Sequence, residues 1–141
     1  MKILLAVDGS KYTKKMLAYL VTHDEVYRPD GNEYVLFTAH PALPPRARAA
    51  LGKAIADNYH QEEAQKVLEP AAKFLARHGI EARTLWKVGS AGDLIADTAA
   101  DGKFDLVMLG SHGHRALANL VLGSVATQVL ANCKVPVLLV R

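Results

Sequence analysis

The chain has 141 residues, of which 50% are hydrophobic, 22% charged and 6% aromatic. This apolar content is enough for one globular domain to fold without a disulfide or a structural metal. The 17 lysines and arginines outnumber the 14 aspartates and glutamates only slightly, and they form no basic stripe of the kind typical of nucleic-acid-binding proteins. No apolar run reaches the ~18 residues of a membrane-spanning helix. We therefore expect a single domain over residues 1–141, in the cytoplasm, with neither a membrane nor a nucleic acid as its partner.

Five short apolar runs predict five β-strands. Most of the runs are unbroken rather than alternating, which is typical of strands covered on both faces. The weakest run contains Thr84, Trp86 and Val88, whose side chains favour strands. In chain order the predicted strands are Lys2–Val7, Tyr34–Ala39, Ala82–Val88, Phe104–Leu109 and Val135–Val140.

Helical spacing appears between the strands. Ser10 is the predicted N-cap of the first helix. Ser90 and Asp93 resemble a capping box at the start of a later helix that ends near Gly102. A last helix is predicted over Asn119–Asn132.

The longest predicted helix is amphipathic and contains Pro70, which predicts a kink or a break into two helices. Its apolar stripe consists of Leu51, Ile55, Tyr59, Ala64, Val67, Leu68, Ala71 and Leu75. The preceding segment from His40 to Ala50 is predicted to be a loop, of a length more often functional or mobile than merely connecting.

Strands that alternate with helices imply right-handed crossovers and a parallel sheet. We therefore predict an α/β fold: a Rossmann-like, three-layer α/β/α sandwich around a five-stranded parallel sheet in the order 3-2-1-4-5. Ligands bind such sheets beyond the carboxyl ends of the strands, where the winding direction reverses. Three segments should meet there: Val7–Ser10, Ala39–Pro41 and Gly110–His114.

The segment after the fourth predicted strand has the most informative pattern, Gly110-x2-Gly113-x9-Gly123-Ser124. Glycines at a strand-to-helix turn permit a positive φ and let a ligand approach main-chain amides, which bind phosphate oxygens. Gly123 and Ser124 lie near the start of the last helix, where free amides and the helix dipole favour an anion. The alternative is that Gly110 and Gly113 only form a tight turn.

This spacing resembles the ATP-binding signature of the universal stress protein family, in its ATP-binding subgroup. The likeness covers the whole chain, from Val7-Asp8-Gly9-Ser10 through Val88-Gly89 to the closing Val135–Val140. It implies the adenine nucleotide alpha hydrolase-like form of the predicted fold, with ATP as the bound nucleotide and Mg²⁺ as a candidate companion ion.

The resemblance also implies a set of nucleotide-contacting residues. Asp8 would face the adenine or the ribose, and the main chain of Ala39 would hydrogen-bond the adenine edge. The glycine loop would line the ribose and phosphates, and Gly123–Val125 would close around the triphosphate. The expected binding residues are Ala6, Asp8, Ala39, Gly110, Ser111, His112, Gly113, His114, Arg115, Gly123, Ser124 and Val125.

Structural interpretations of the same residues stay open. Asp8 suits a turn or a helix cap. His112 and His114 have no third histidine or cysteine nearby, so no metal site is predicted. The chain also lacks a P-loop and a G-x-S-x-G nucleophile elbow.

We therefore expect a binding module: a homodimer that holds ATP and signals nucleotide or stress state to partners. Two alternatives are a slow ATPase in which Asp8 or His112 organises water, and a nucleotide-free interaction protein. Phosphoryl transfer needs a positioned nucleophile, a base and charge-stabilising groups. No such set is recognisable, so no catalytic residue is assigned.

The last predicted strand, Val135–Val140, lies at a sheet edge in this strand order. It carries no charge, and only Pro136 near its start limits hydrogen bonding. We expect it to pair antiparallel with its symmetry mate in the homodimer, an interface to which the family resemblance also points.

Overall fold

A computed structural model describes residues 1–27 and 30–141, in which strands and helices alternate as predicted. The strands are β1 (Lys2–Ala6), β2 (Glu33–His40), β3 (Ala82–Val88), β4 (Leu106–Gly110) and β5 (Val137–Val140). The helices are α1 (Lys11–Thr22), α2 (Asp24–Tyr27), α3 (Pro45–Leu51), α4 (Lys53–Arg77), α5 (Ala91–Asp101) and α6 (Ser124–Asn132). Each predicted strand overlaps an observed one.

The strands form a parallel sheet in the order β3-β2-β1-β4-β5. In the central strand, Leu4 pairs with Val35 of β2 and with Val107 of β4. Helices α1 and α4 cover one face of the sheet, and α5 and α6 cover the other. The prediction of a three-layer α/β/α sandwich in the order 3-2-1-4-5 is confirmed.

Strand β1 shows why the apolar runs are unbroken. Alternate side chains of a strand point to opposite faces, so Ile3 and Leu5 pack beneath α1 and α4 while Leu4 packs beneath α5 and α6. All three are fully buried. Burying one such side chain stabilises the fold by roughly 1.5–3 kcal/mol. A sheet covered on both faces therefore requires apolar residues at successive positions.

The winding direction reverses between β1 and β4. From β1 the chain moves outward through β2 to β3, returns to β4 on the other side of β1, and continues to β5. The loops after β1 and β4 therefore leave neighbouring strand ends in opposite directions, which opens a ligand edge between them.

The segment from His40 to Ala50 is not a loop throughout, and the prediction is wrong for its second half. Pro45 begins helix α3, in which no residue is buried. Proline suits the first position of a helix because an N–H there has no intrahelical partner. The alanines and arginines that follow have high helix propensity.

Helix α4 continues from Lys53 through Pro70 to Arg77, so the predicted break into two helices is wrong. Pro70 lies on the exposed side of the helix. The opposite side packs against β2 and β3, and this packing holds the turns around Pro70 together despite the missing N–H.

The predicted apolar stripe of α4 is wrong at its start. Leu51, Ile55 and Tyr59 are 44%, 58% and 44% exposed. Gly52, with a φ of +80°, separates Leu51 from the helix. Ile55 and Tyr59 each precede a buried position by one residue, which turns them about 100° away from the sheet. The buried face consists of Ala56, His60, Ala64, Leu68, Ala71 and Leu75.

The last helix begins at Ser124 rather than at Asn119. Gly123 is its N-cap, and the residues before it form turns. Among the described residues, no helix combines the length and the apolar character that crossing a membrane requires.

Helix α5 begins after Ser90 and ends at Asp101, next to Gly102, as predicted, but the capping box does not form. The Ser90 side chain makes no capping hydrogen bond. Asp93 Oδ1 instead accepts hydrogen bonds from Gln128 Nε2 at 3.0 Å and from Asn132 Nδ2 at 3.3 Å. Asp93 therefore joins α5 to α6 rather than closing its own helix start.

Candidate functional site

Asp8 organises the turn from β1 into α1. Its Oδ1 atom accepts hydrogen bonds from the Ser10 N–H at 2.9 Å and the Thr13 hydroxyl at 2.8 Å. The N-cap prediction for Ser10 is confirmed, since its Oγ accepts from the Thr13 N–H at 3.4 Å. Gly9 adopts a φ of +78°, which glycine reaches without strain. The turn thus engages one of the two carboxylate oxygens of Asp8.

The loop after β4 is fastened both to the sheet and to the start of α6. The Ser111 N–H donates to Val140 O at 2.8 Å, and the Gly123 N–H donates to Ser111 O at 2.7 Å. The Ser111 side chain is fully buried. These bonds bring the two ends of the loop together at the carboxyl edge of the sheet.

His112 braces this loop with both of its ring nitrogens. Nε2 lies 2.8 Å from Leu120 O, and Nδ1 lies 2.8 Å from Ser111 Oγ. A carbonyl oxygen only accepts, so Nε2 donates to it, and Nδ1 of the neutral ring accepts from the Ser111 hydroxyl. The ring also packs 5.0 Å from the Tyr12 ring, measured between centroids.

The glycines of the loop are needed for close approach rather than for a positive φ. Gly110, Gly113 and Gly123 are not among the positive-φ glycines, so the expectation based on turn geometry is wrong on this point. A Cβ atom on Gly110 would lie 3.0 Å from the carbonyl carbon of Tyr12, and one on Gly123 would lie 3.1 Å from His112 Cα. Neighbouring backbone segments occupy the space that side chains would need.

Asp8 joins the first turn to the glycine loop. His114 Nε2 donates to Asp8 O at 2.6 Å. A Cβ atom on Gly113 would lie 2.9 Å from Asp8 Oδ2, so this oxygen faces the main chain of Gly113. In the described part of the chain no donor engages Oδ2.

Unpaired amides lie in the glycine loop and at the start of α6. The N–H groups of Gly113, His114 and Ser124 donate to no atom of the residues that the structure describes. The first amides of α6 also form the positive end of the helix dipole, and neither α1 nor α6 has an acidic residue in its first turn. Free amides at a helix start favour an anion.

The end of β2 leaves the main chain of one residue unpaired. The Val7 N–H donates to Phe37 O at 2.9 Å, and the pairing of β1 with β2 ends at Phe37. Backbone groups alternate in direction along a strand, so Ala39 points its amide and carbonyl to the same side as Phe37, beyond the end of β1. On the opposite side, the Gly89 N–H donates to His40 O at 2.8 Å. Ala39 thus presents a donor and an acceptor at the ligand edge.

The side chains of the remaining predicted site residues do not contact this group. The Ala6 side chain is buried in the core beneath α5 and α6. Arg115, Ser124 and Val125 are exposed, and within the described residues their side chains form no hydrogen bond or ion pair.

Two residues of this arrangement were not predicted. Thr13 bonds both main chain and side chain of Asp8, and the two hydroxyls of Ser10-x-x-Thr13 at a helix start were the available signal. Tyr12 packs on Gly110 and His112. No local pattern marks Tyr12, because its role depends on tertiary packing.

A second polar cluster lies beside the end of β2. His40 Nε2 and His60 Nδ1 are buried, and neither has a hydrogen-bond partner among the described residues. Burial of the His40 ring lowers its pKa, the Glu63 carboxylate raises that pKa by a smaller amount, and His60 lowers it further.

In the residues that the structure describes, no three His, Cys, Asp or Glu side chains are placed to hold a metal ion. Two open surface grooves are also present, one of about 620 Å³ on the outer side of α4 and one of about 780 Å³ beside α3, and no residue of the glycine loop lines either. The candidate site is therefore defined by free amides, a carboxylate oxygen and an open strand end rather than by an enclosed cavity.

Comparison with known proteins identifies the family. The chain matches the family model of the universal stress protein family over residues 1–141. Universal stress protein YxiE of Bacillus subtilis is 33% identical over 149 residues, with 99% of this chain and 98% of YxiE covered. Universal stress protein Slr1230 of Synechocystis is 31% identical over 140 residues and 99% of this chain, which spans 42% of that relative's length. The chain belongs to the universal stress protein family.

Solved structures share the fold. MJ0577 of Methanocaldococcus jannaschii has a TM-score of 0.81 and 26% identity, with 99% of this chain and 94% of that chain covered. Universal stress proteins have been solved with cAMP, with dAMP (from Archaeoglobus fulgidus) and with AMP (from Arabidopsis thaliana). The cAMP complex has a TM-score of 0.66 and 20% identity, with 100% of this chain and 96% of that chain covered. The dAMP complex has a TM-score of 0.69 and 22% identity, with 100% of this chain and 98% of that chain covered. The AMP complex has a TM-score of 0.69 and 14% identity, with 99% of this chain and 90% of that chain covered. At these identities the similarity establishes the fold.

Proposed function

We propose that the chain is a nucleotide-binding module that holds ATP between the ends of β1, β2 and β4 and the start of α6. The observation that carries the proposal is the junction of the two loops, where Asp8 Oδ2 faces the main chain of Gly113, and where the glycine loop and the start of α6 carry the unpaired amides of Gly113, His114 and Ser124. A carboxylate oxygen accepts from hydroxyl or amino groups, and amides donate to phosphate oxygens. A nucleotide carries both kinds of group in one molecule.

The adenosine end would lie between Asp8 and Ala39. The amide and carbonyl of Ala39 stand at the open side of β2, where a donor and an acceptor match the adenine edge. Asp8 Oδ2 would accept from a ribose hydroxyl or from the adenine amino group. Adenine is the base named in the cAMP, dAMP and AMP complexes of proteins with this fold, so we propose it first.

The phosphates would lie along the glycine loop and the first turn of α6. The amides of Gly113, His114 and Ser124 are unpaired there, and the exposed Ser124 hydroxyl adds a donor. Arg115 is exposed on the same loop, with a side chain long enough to reach a phosphate.

A companion Mg²⁺ ion would be held mainly by the phosphates, whose charge it would neutralise. Mg²⁺ is commonly bound through one or two carboxylates together with substrate phosphates. Asp8 Oδ2 is assigned to the adenosine end, so the phosphates and water molecules would supply the ligands of the ion. The described residues contain no three-ligand cluster that could hold the ion by itself.

Binding is favoured over hydrolysis. Both ring nitrogens of His112 are occupied, so neither is free to take a proton from water. Asp8 Oδ1 is occupied by the turn. A slow ATPase is the alternative, with Asp8 Oδ2 as its candidate base.

We further propose that the module is one domain and that it lies in the cytoplasm, since ATP is available in that compartment. We also propose that it acts as a homodimer, which reports nucleotide state to a partner. The support for the dimer is the sheet edge at β5, whose four residues Val137–Val140 are all apolar and only half-buried. Antiparallel pairing of this edge with its symmetry mate would satisfy both backbones and cover these side chains.

Gly113→Val tests the nucleotide site. The branched side chain would meet Asp8 Oδ2 and cover the neighbouring amides, so we expect ATP affinity in calorimetry to fall at least tenfold, about 1.4 kcal/mol. Circular dichroism checks that the fold is intact. Ala118→Val, in the exposed part of the same loop, is the matched control and should bind ATP like the unmodified protein. Equal affinity in both variants would show that the glycines only shape the loop.

A further inference from the structure

The proposed nucleotide site leaves one sequence pattern without a role. The residues from 41 to 46 read Pro-Ala-Leu-Pro-Pro-Arg, which places two prolines three positions apart and an arginine two positions after the second. A polyproline II helix has three residues per turn, so Pro41 and Pro44 would lie on the same side of it. Pro-x-x-Pro segments in this conformation dock into grooves lined by aromatic side chains.

The structure holds residues 41–44 of this segment outside any helix or strand, and Pro44 is close to that conformation. Pro44 has a φ of −52° and a ψ of 143°, near the polyproline II values of about −75° and +145°. The ring of Pro41 fixes its own φ. Because His40 and Leu43 each precede a proline, both are restricted to extended conformations.

The segment is also accessible. Pro41, Ala42, Pro44 and Arg46 are exposed. The main chain of residues 41–43 forms no hydrogen bond within the described residues, so its carbonyls are free to accept bonds from a partner. Among the ion pairs of the described residues, none involves Arg46.

We propose that Pro41–Arg46 is a docking segment for a partner domain whose groove is lined by aromatic side chains and carries a carboxylate at one end. The rings of Pro41 and Pro44 would pack between the aromatic side chains, and the Arg46 guanidinium would pair with the carboxylate. Residues 41–44 are restricted by their prolines and lose little conformational entropy on docking, whereas Pro45 and Arg46 must leave the first turn of α3.

Docking would change the start of α3. Arg46 lies in the first turn of this helix, so extending the polyproline II conformation to Arg46 breaks the hydrogen bond from the Arg48 N–H to Pro44 O, 3.0 Å long. The cost is small, because α3 has 7 residues and none is buried. The Arg48 amide therefore reports on docking directly.

The test uses the full-length, isotope-labelled protein and a purified SH3 domain that prefers Pro-x-x-Pro-x-Arg ligands as the probe. We expect saturable shifts in the NMR spectrum, confined to residues near 40–52, and faster hydrogen exchange at the Arg48 amide. The double variant Pro41→Ala, Pro44→Ala and the single variant Arg46→Glu should each weaken binding at least tenfold. The control Arg77→Glu, at the far end of α4, should leave binding unchanged.

Absence of saturable shifts at millimolar probe, or binding that survives the double variant, would overturn the proposal. Shifts that fall on β5 instead of residues 40–52 would do the same. ATP titration of the Arg46→Glu variant separates this inference from the nucleotide site, because Arg46 lies outside the segments of the proposed site and its substitution is expected to leave ATP affinity intact.

Discussion

The two carboxylate oxygens of Asp8 have different roles. Oδ1 holds the turn through the Ser10 amide and the Thr13 hydroxyl, and Oδ2 faces Gly113 across the junction of the two loops. A turn-forming role and a ligand-binding role are therefore compatible in the same side chain. Substitutions can separate them, because asparagine keeps an acceptor oxygen and alanine does not.

Asp8→Ala should weaken ATP binding and lower the free energy of unfolding by about 1 kcal/mol, since the turn loses an acceptor. Asp8→Asn should retain most of the stability while binding ATP more weakly. Calorimetry and urea unfolding measure the two effects. Neither variant should abolish hydrolysis selectively in single-turnover experiments with labelled ATP. Normal affinity with abolished turnover would instead make Asp8 catalytic.

His40 should make the fold sensitive to acid. Burial lowers the pKa of its ring in the folded chain, so the unfolded chain binds the proton more strongly, and the free energy of unfolding falls as the pH drops through the unfolded pKa of about 6.5. The Glu63 carboxylate limits the effect because it favours the charged ring.

His40→Gln cannot titrate, so its free energy of unfolding should fall less than that of the unmodified protein between about pH 7.5 and about pH 5. Urea unfolding at the two pH values measures the difference. The same loss in both proteins would show that other groups cause the acid sensitivity.

The glycine spacing predicted the position of the loop. The reason why these positions require glycine could not be predicted from sequence alone. Turn chemistry suggests a positive φ, whereas the structure shows that Gly110 and Gly123 avoid collisions with Tyr12 and His112. Such collisions depend on which elements pack together. Gly9 does adopt a positive φ, in a turn that the sequence did mark.

Helices α3 and α4 show how far the bounds and the buried faces of helices can be predicted from local sequence patterns. The buried half of α4, from Ala64 to Leu75, was predicted from its apolar spacing. The exposed Ile55 and Tyr59 were misassigned, because the buried positions in these turns are Ala56 and His60, which no large apolar side chain marks in the sequence. Helix α3 was missed because its prolines suggested a loop, although proline is compatible with a first helical position.

Pro70→Ala should raise the free energy of unfolding by about 1–3 kcal/mol, because it restores a backbone N–H inside α4 and removes a ring that crowds the preceding turn. Part of the gain is offset by roughly 0.4–1 kcal/mol, because alanine leaves the unfolded chain more freedom than proline.

Pro45→Ala is the matched control for Pro70→Ala. Pro45 is the first residue of α3, where an added N–H has no intrahelical partner, so the change in urea unfolding should be small. A Pro70→Ala variant that is no more stable than this control would show that α4 already accommodates its proline without loss.

At the scale of the whole molecule, the two edges of the sheet differ in character. The β3 edge carries Arg83, Thr84 and Lys87, whereas β5 is Val-Leu-Leu-Val. Charged side chains discourage pairing between edges, and an uncharged apolar edge permits it. The strand order that creates this asymmetry was predictable, because alternating strands and helices allow few windings. What pairs with the β5 edge was not predictable, because the sequence of one chain does not show its partner.

Replacing Leu138 and Val140 together with lysine should place like charges across the proposed two-fold axis, and the mass measured by light scattering should shift from dimer to monomer. Thr84→Lys with Val88→Lys adds the same charge to exposed positions of the opposite edge and should leave the mass unchanged. A β5 variant that stays dimeric and equally stable would place the interface elsewhere.

The most direct test of the nucleotide-binding proposal is native mass spectrometry of the purified protein incubated with an equimolar mixture of ATP, GTP, CTP and UTP. If the Ala39 main chain reads the base and the glycine loop holds the phosphates, the spectrum will show one ATP per chain in preference to the other three nucleotides. A spectrum without bound nucleotide, or with all four bound equally, would contradict the account.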